Sequence, residues 1–68
     1  MKHAVKTFNL KEGKLVYENF HKTAESAYEE YVKNIAIAKK YCRKGEEITI
    51  VRFNDGQVMT FETVVGIN

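Results

Sequence analysis

The sequence predicts an α+β fold of order ββαββ: two hairpins forming a four-stranded sheet with one helix packed on one face. Three observations carry this. Lys11-Glu12-Gly13 and Asp55-Gly56 are turn signals, each flanked by runs rich in strand-forming residues. Between the hairpins, apolar residues recur at helical spacing from Ala24 to Cys42. Each secondary element then needs a partner for its apolar side, and one helix across one sheet is the simplest arrangement of these parts.

The first hairpin spans 3–20. A three-residue loop ending in glycine would set Lys6 opposite Glu18, Phe8 opposite Val16 and Ala4 opposite Phe20, matching charge with charge and apolar with apolar. A two-residue loop would instead pair Phe8 with Tyr17 and Val5 with Phe20. The first register is preferred.

The helix spans 23–44. Thr23 is the candidate N-cap, and Glu25, Glu29 and Glu30 lie early, where the helix dipole favours anions. Lys39, Lys40, Arg43 and Lys44 crowd the opposite end, and Gly45 reads as the C′ residue. Ala24, Ala27, Tyr28, Tyr31, Ile35, Ala38 and Cys42 share the apolar stripe, flanked by Val32 and Tyr41. Ile37 falls off that stripe and is expected at the surface.

The second hairpin spans 46–65. Asp55-Gly56 as a two-residue turn pairs Phe53 with Val58, Arg52 with Met59, Ile50 with Phe61 and Ile48 with Thr63. Ile48, Ile50, Met59 and Phe61 would then meet the helix. Val51, Phe53, Val58 and Val64 would share the opposite face, joined on the first hairpin by Val5, Leu15 and Tyr17. Apolar surface on the uncovered side of a small sheet marks an interface. Val51, Phe53, Val58, Val64 and Tyr17 are therefore the candidate interface residues. A homodimer packed sheet on sheet, or joined through edge strands, is the expected assembly.

Size supports that expectation. A chain of 68 residues makes one domain, here 1–68. It can hide only about 60% of the surface of its unfolded chain, and its single cysteine allows no internal disulfide. Self-association is the remaining source of core. At 44% hydrophobic and 29% charged, the chain has the balance of a folded globular domain. The residues Met1 to Lys6 contain no apolar segment of the export type, and the longest apolar run is Ile35 to Ala38. The expectation is a cytoplasmic protein with no membrane association.

The net charge of +2 conceals an asymmetry. Residues 1–22 carry +3, residues 23–44 carry +2 and residues 45–68 carry −3. Such a charge dipole orients encounters and can drive self-pairing.

Four constellations bear on chemistry. His3 and His21 fall opposite one another, but two ligands do not make a selective metal site and no third is spaced for one. Cys42 lies among bases that would lower its pKa, yet it also lies on the buried stripe, where cysteine acts as a small hydrophobe. Glu47 and Glu62 share a predicted sheet face without a nucleophile or a burying environment. Lys33, Lys39, Lys40, Arg43 and Lys44 form the densest basic cluster. With Tyr41 beside them they could meet a nucleic-acid backbone, although they also read as a solvated helix end.

No nucleophile–base pair, metal set or phosphate loop stands out, so an enzyme is the least expected class, and no cofactor is expected. The leading expectation is a small protein-binding module, dimeric, regulating or inhibiting another macromolecule. The alternative is a nucleic-acid-binding accessory protein using the basic end of the helix. In size, lysine content and overall plan the chain resembles the small accessory proteins of phages and prophages. That resemblance rests on no motif and implies a binder of a host protein.

Overall fold

The structure is a computed structural model describing residues 2–67. It has five elements: β1 (His3–Asn9), β2 (Lys14–His21), α1 (Ala24–Tyr41), β3 (Glu47–Asn54) and β4 (Gln57–Val65). The strands form one antiparallel sheet in the order β2-β1-β3-β4. Strands β2 and β3 run the same way with β1 between them, so α1 is a crossover that lies across one face. This is the expected ββαββ plan. The strand order, which local signals leave open, puts the first strand of each hairpin at the centre.

The core lies between the sheet and the helix. Val5 and Ile50 are fully buried there, against Ala27, Tyr31 and Val64, with Ile35, Ala38, Cys42 and Ile48 packed around them. Val5 is thus a core residue on the covered face and not part of the open one.

The helix begins as expected. Thr23 has extended backbone, and its Oγ1 accepts a hydrogen bond from the Ser26 N–H at 3.1 Å. The end differs. The helix stops at Tyr41, and Cys42 turns extended at φ −64°, ψ 124°. Arg43 to Glu46 form a separate turn. The Glu46 N–H donates to the Arg43 carbonyl at 2.9 Å, and the Arg43 N–H donates to the Glu46 carboxylate at 2.8 Å. Gly45 has φ +88°, which suits the third position of this turn, so it is not the C′ residue of the helix.

On the helix stripe Ala27 and Tyr31 are buried, but Tyr28 is 52% exposed and Ala24 is also outside the core. The Tyr28 ring lies 6.0 Å from that of Tyr31 and carries the Arg52 guanidinium at 5.5 Å. It covers a cation at the rim of the helix–sheet junction instead of filling the core. Ile37 is exposed, as expected.

Each hairpin contains one residue more than a regular ladder allows. In the first, Lys6 pairs with Glu18 and Ala4 with Phe20, but the register shifts between Thr7 and Phe8. Phe8 therefore meets Leu15, not Val16, and Val16 is the extra residue. In the second, Asp55 (φ +56°) and Gly56 (φ +80°) make the expected two-residue turn, and Phe53 pairs with Val58. The register then shifts between Arg52 and Phe53, leaving Met59 as the extra residue. Arg52 pairs with Thr60, Val51 with Phe61, Ile50 with Glu62 and Ile48 with Val64. The expected pairs of Arg52 with Met59, Ile50 with Phe61 and Ile48 with Thr63 do not form.

One extra residue inverts the side-chain alternation for the rest of a strand. Beyond Met59 the faces of β4 are the reverse of the expected ones. Val64 is 8% exposed and belongs to the core, while Phe61 is 65% exposed on the opposite face.

Candidate interaction surface

The uncovered face of the sheet follows from these registers. Paired positions form rows across it. One row is Glu18, Lys6, Val51 and Phe61, and the next is Phe20, Ala4, Phe53 and Val58. A third is Leu15, Phe8, Thr49 and Thr63, whose threonine hydroxyls lie 2.9 Å apart. Phe20, Leu15, Val58, Phe61 and Val65 are all exposed on these outer strands. Across the middle, the Lys6 ammonium lies 3.2 Å from Glu18 and 5.0 Å from the centre of the Phe53 ring. Its charge therefore sits between the Phe53 ring on central strand β3 and Glu18 on edge strand β2.

Of the five candidate interface residues, the structure brings Val51, Phe53 and Val58 together on this face. Val64 and Tyr17 are on the other one. Val64 is displaced by the Met59 bulge. Tyr17 pairs with Thr7, on the side of β1 that carries Val5, and it is tied to the helix. Leu15, expected on the open face, is there, and Phe20, Phe61 and Val65 belong to it as well and were missed as site residues. Their alternation was legible, but its phase was not.

Tyr17 belongs to a polar clamp centred on Glu30. The Tyr17 hydroxyl donates to Glu30 Oε2 at 2.5 Å, and Asn19 Nδ2 donates to the same oxygen at 3.1 Å. His21 Nε2 lies 2.7 Å from Glu30 Oε1, and His21 Nδ1 lies 3.0 Å from Ser26 Oγ. Burial pushes the Glu30 carboxyl up, but the hydrogen bonds from His21, Tyr17 and Asn19 outweigh it and leave the group below its ordinary pKa. The bond to Glu30 raises the Tyr17 phenol above its ordinary value. The clamp fastens the edge strand β2 to the helix. Its only local signal in the sequence is the alternation of Tyr17, Asn19 and His21.

Beside the clamp, a groove of about 380 Å³ opens between the second half of α1 and the sheet. Ile37, Ala38, Tyr41 and Cys42 line its helix wall, and Thr7, Tyr17 and Ile48 its floor.

The basic residues are dispersed. Lys39 pairs with Glu62 at 3.2 Å, and Lys40 lies over its neighbour Tyr41 at 5.5 Å from the ring centre. Arg43 and Lys44 sit in the turn beyond the helix, where the Glu46 carboxylate accepts the Arg43 backbone N–H. Lys33 is exposed two helical turns from Lys40. Nearby carboxylates offset part of the expected positive field. Glu47 and Glu62 do not share a face, because the same bulge turns Glu62 toward the helix.

His3 and His21 pair across β1 and β2 as expected, but His21 is engaged by Glu30 and Ser26. Among the described residues, no three His, Cys, Asp or Glu side chains come together as a metal site, and no helix is long and apolar enough to cross a membrane.

No protein-family model, curated protein or solved structure matches this chain.

Proposed function

We propose that this chain is a non-enzymatic protein-binding module of the cytoplasm, a dimeric regulator or inhibitor of another macromolecule, of the kind phages and prophages encode. The observation that supports this reading is the open face of the sheet. It holds Leu15, Phe20, Val58, Phe61 and Val65 out to solvent on a sheet whose other side is already closed by the helix. Covering such a surface is favourable by roughly 25 cal/mol for each Å² of apolar area removed from water. The ladder hydrogen bonds and the Glu30 clamp hold the strands beneath it, so little ordering cost opposes binding.

The basic end of the helix supports the nucleic-acid alternative less well, because Glu62 already pairs with Lys39 and the Glu46 carboxylate lies in the same turn as Arg43 and Lys44. The two readings separate by salt. Immobilised protein is challenged with lysate at low and high ionic strength, beside a Phe61→Glu variant and a variant with Lys39, Lys40, Arg43 and Lys44 all changed to alanine. The expected result is a protein retained at both salt levels by the parent and the alanine variant, and lost by Phe61→Glu. Retention of nucleic acid alone, lost at high salt and in the alanine variant, would overturn the reading, since phosphate contacts weaken steeply with salt.

A further inference from the structure

We infer that the open face of the sheet is closed by a second copy of this chain. The copies pack face to face, with the two-fold axis along the strands, so that the β1–β2 hairpin of one lies over the β3–β4 hairpin of the other. The inference rests on the reading above in taking the open face as the interaction surface, and it names the first occupant of that surface.

Three features point to a second copy. The first is the state of the sheet edges. Both edge strands, β2 and β4, carry a bulge, at Val16 and Met59. A bulge breaks the outward row of N–H and C=O groups and bends the strand, which blunts the edge against pairing with another strand. Of the two expected routes to a dimer, this leaves packing through the face.

The second is area. The molecule extends 35 × 21 × 15 Å, so its broad side offers at most roughly 700 Å² per copy, just under the roughly 800 Å² of a standard interface. That side is mainly apolar, and its one ion pair, Lys6 with Glu18, lies between the Phe53 ring of a central strand and the β2 edge.

The third is charge. The first hairpin segment, 1–22, carries +3 and the second, 45–68, carries −3. These segments lie side by side in the sheet. On the open face itself Lys6 is paired with Glu18, and Glu62 is turned to the helix, so the contrast lies at the strand ends, with Lys11, Lys14 and Lys22 of the first hairpin against Glu47 and Asp55 of the second. A two-fold axis along the strands sets basic over acidic twice. An axis across the strands would set like over like. The chain is thus complementary to itself in one orientation. In that orientation Phe20 of one copy opposes Val58 of the other, because both stand in the same row at opposite edges.

The test is made on purified full-length chain. By sedimentation at roughly 100 μM, above the micromolar constants of weak interfaces of this size, the parent is expected at twice its 7.9 kDa mass. Phe61→Glu is expected to weaken the dimer at least about 30-fold while leaving the helical circular dichroism unchanged. Tyr28→Glu, an exposed change on the helix side, is expected to leave it intact.

Orientation is read by cross-linking under oxidised glutathione. A mixture of Phe20→Cys and Val58→Cys chains is expected to give a disulfide-linked dimer that neither variant gives alone, with the native Cys42 present throughout as background. A Phe61→Cys chain that cross-links to itself would overturn the orientation. A parent that stays monomeric at that concentration would overturn the pairing. A monomer that still retains a lysate protein removes this inference and leaves the protein-binding reading standing. A dimer that retains none does the reverse.

Discussion

Lys39 Nζ on the helix lies 3.2 Å from Glu62 Oε2 on β4. This contact shows which side of β4 looks inward, since Glu62 can reach the helix only if its face is the covered one. Val64, two residues on, follows it into the core, and Phe61 is turned out.

The clearest consequence is a contrast between those two neighbours. Val64→Asp is expected to unfold the chain, and Val64→Ala to cost about 1–3 kcal/mol through lost burial and the cavity left behind. Phe61→Ser is expected to change monomer stability by less than about 0.5 kcal/mol. Urea unfolding, measured dilute enough that association does not contribute, separates the two. Equal losses at both positions would mean that β4 is inverted.

Removing the extra residue tests the bulge itself. Deleting Met59 leaves Val58 opposite Phe53 and Thr60 opposite Arg52 with no side chain changing face. The fold is therefore expected to survive, with unchanged helical circular dichroism. The β4 edge becomes straight, and edge-to-edge association is expected to rise, seen as growing scattering over time. Loss of the fold would show that Met59 has a packing role.

The Glu30 clamp predicts a pH dependence. Glu30→Ala leaves Tyr17, Asn19 and His21 without their common partner and is expected to cost about 1–3 kcal/mol near neutral pH. The folded carboxyl titrates below its ordinary value of 4.5. Its contribution is therefore complete above that ordinary value and is lost as pH falls through the lower, folded one. Denaturation of parent and variant should show a gap that closes in acid and holds from that ordinary value up to the alkaline range where Tyr17, itself shifted up by Glu30, ionises. A gap that widened on acidification would contradict the clamp.

Gly66 predicts a backbone effect. A Cβ built there would lie 1.8 Å from the Arg43 carbonyl oxygen, and the Gly66 N–H donates to the Glu46 carbonyl at 3.0 Å. The chain after β4 passes directly beneath the turn that follows the helix. Gly66→Ala is expected to cost about 2 kcal/mol or more, because backbone must move to admit the methyl group. Gly13→Ala has free space but a φ of +66°, so its strain is local and its cost about 1 kcal/mol. Thermal midpoints that rank the two the other way would refute the close approach.

Much of the fold was legible because its signals are local. Asp55-Gly56 sits in the two-residue turn it predicts, Thr23 caps the helix it precedes, and Lys6 meets Glu18 as their spacing about the first turn requires. The open-face candidates of the second hairpin were legible where they precede the bulge, while Val5 and Tyr17 were misplaced because no local signal tells which side of the first hairpin the helix covers. Val51, Phe53 and Val58 are on that face, and Val64, beyond Met59, is not.

Capping, turn conformation and periodicity are decided within a few residues, so the kind and order of the five elements follow from local sequence alone. Tertiary structure decided strand order and the inner face of β4. A strand repeats every two residues, so one bulged residue exchanges its faces at little local cost. Burying Val64 and pairing Glu62 with Lys39, contacts with a helix some 20 residues earlier in the chain, favour that exchange.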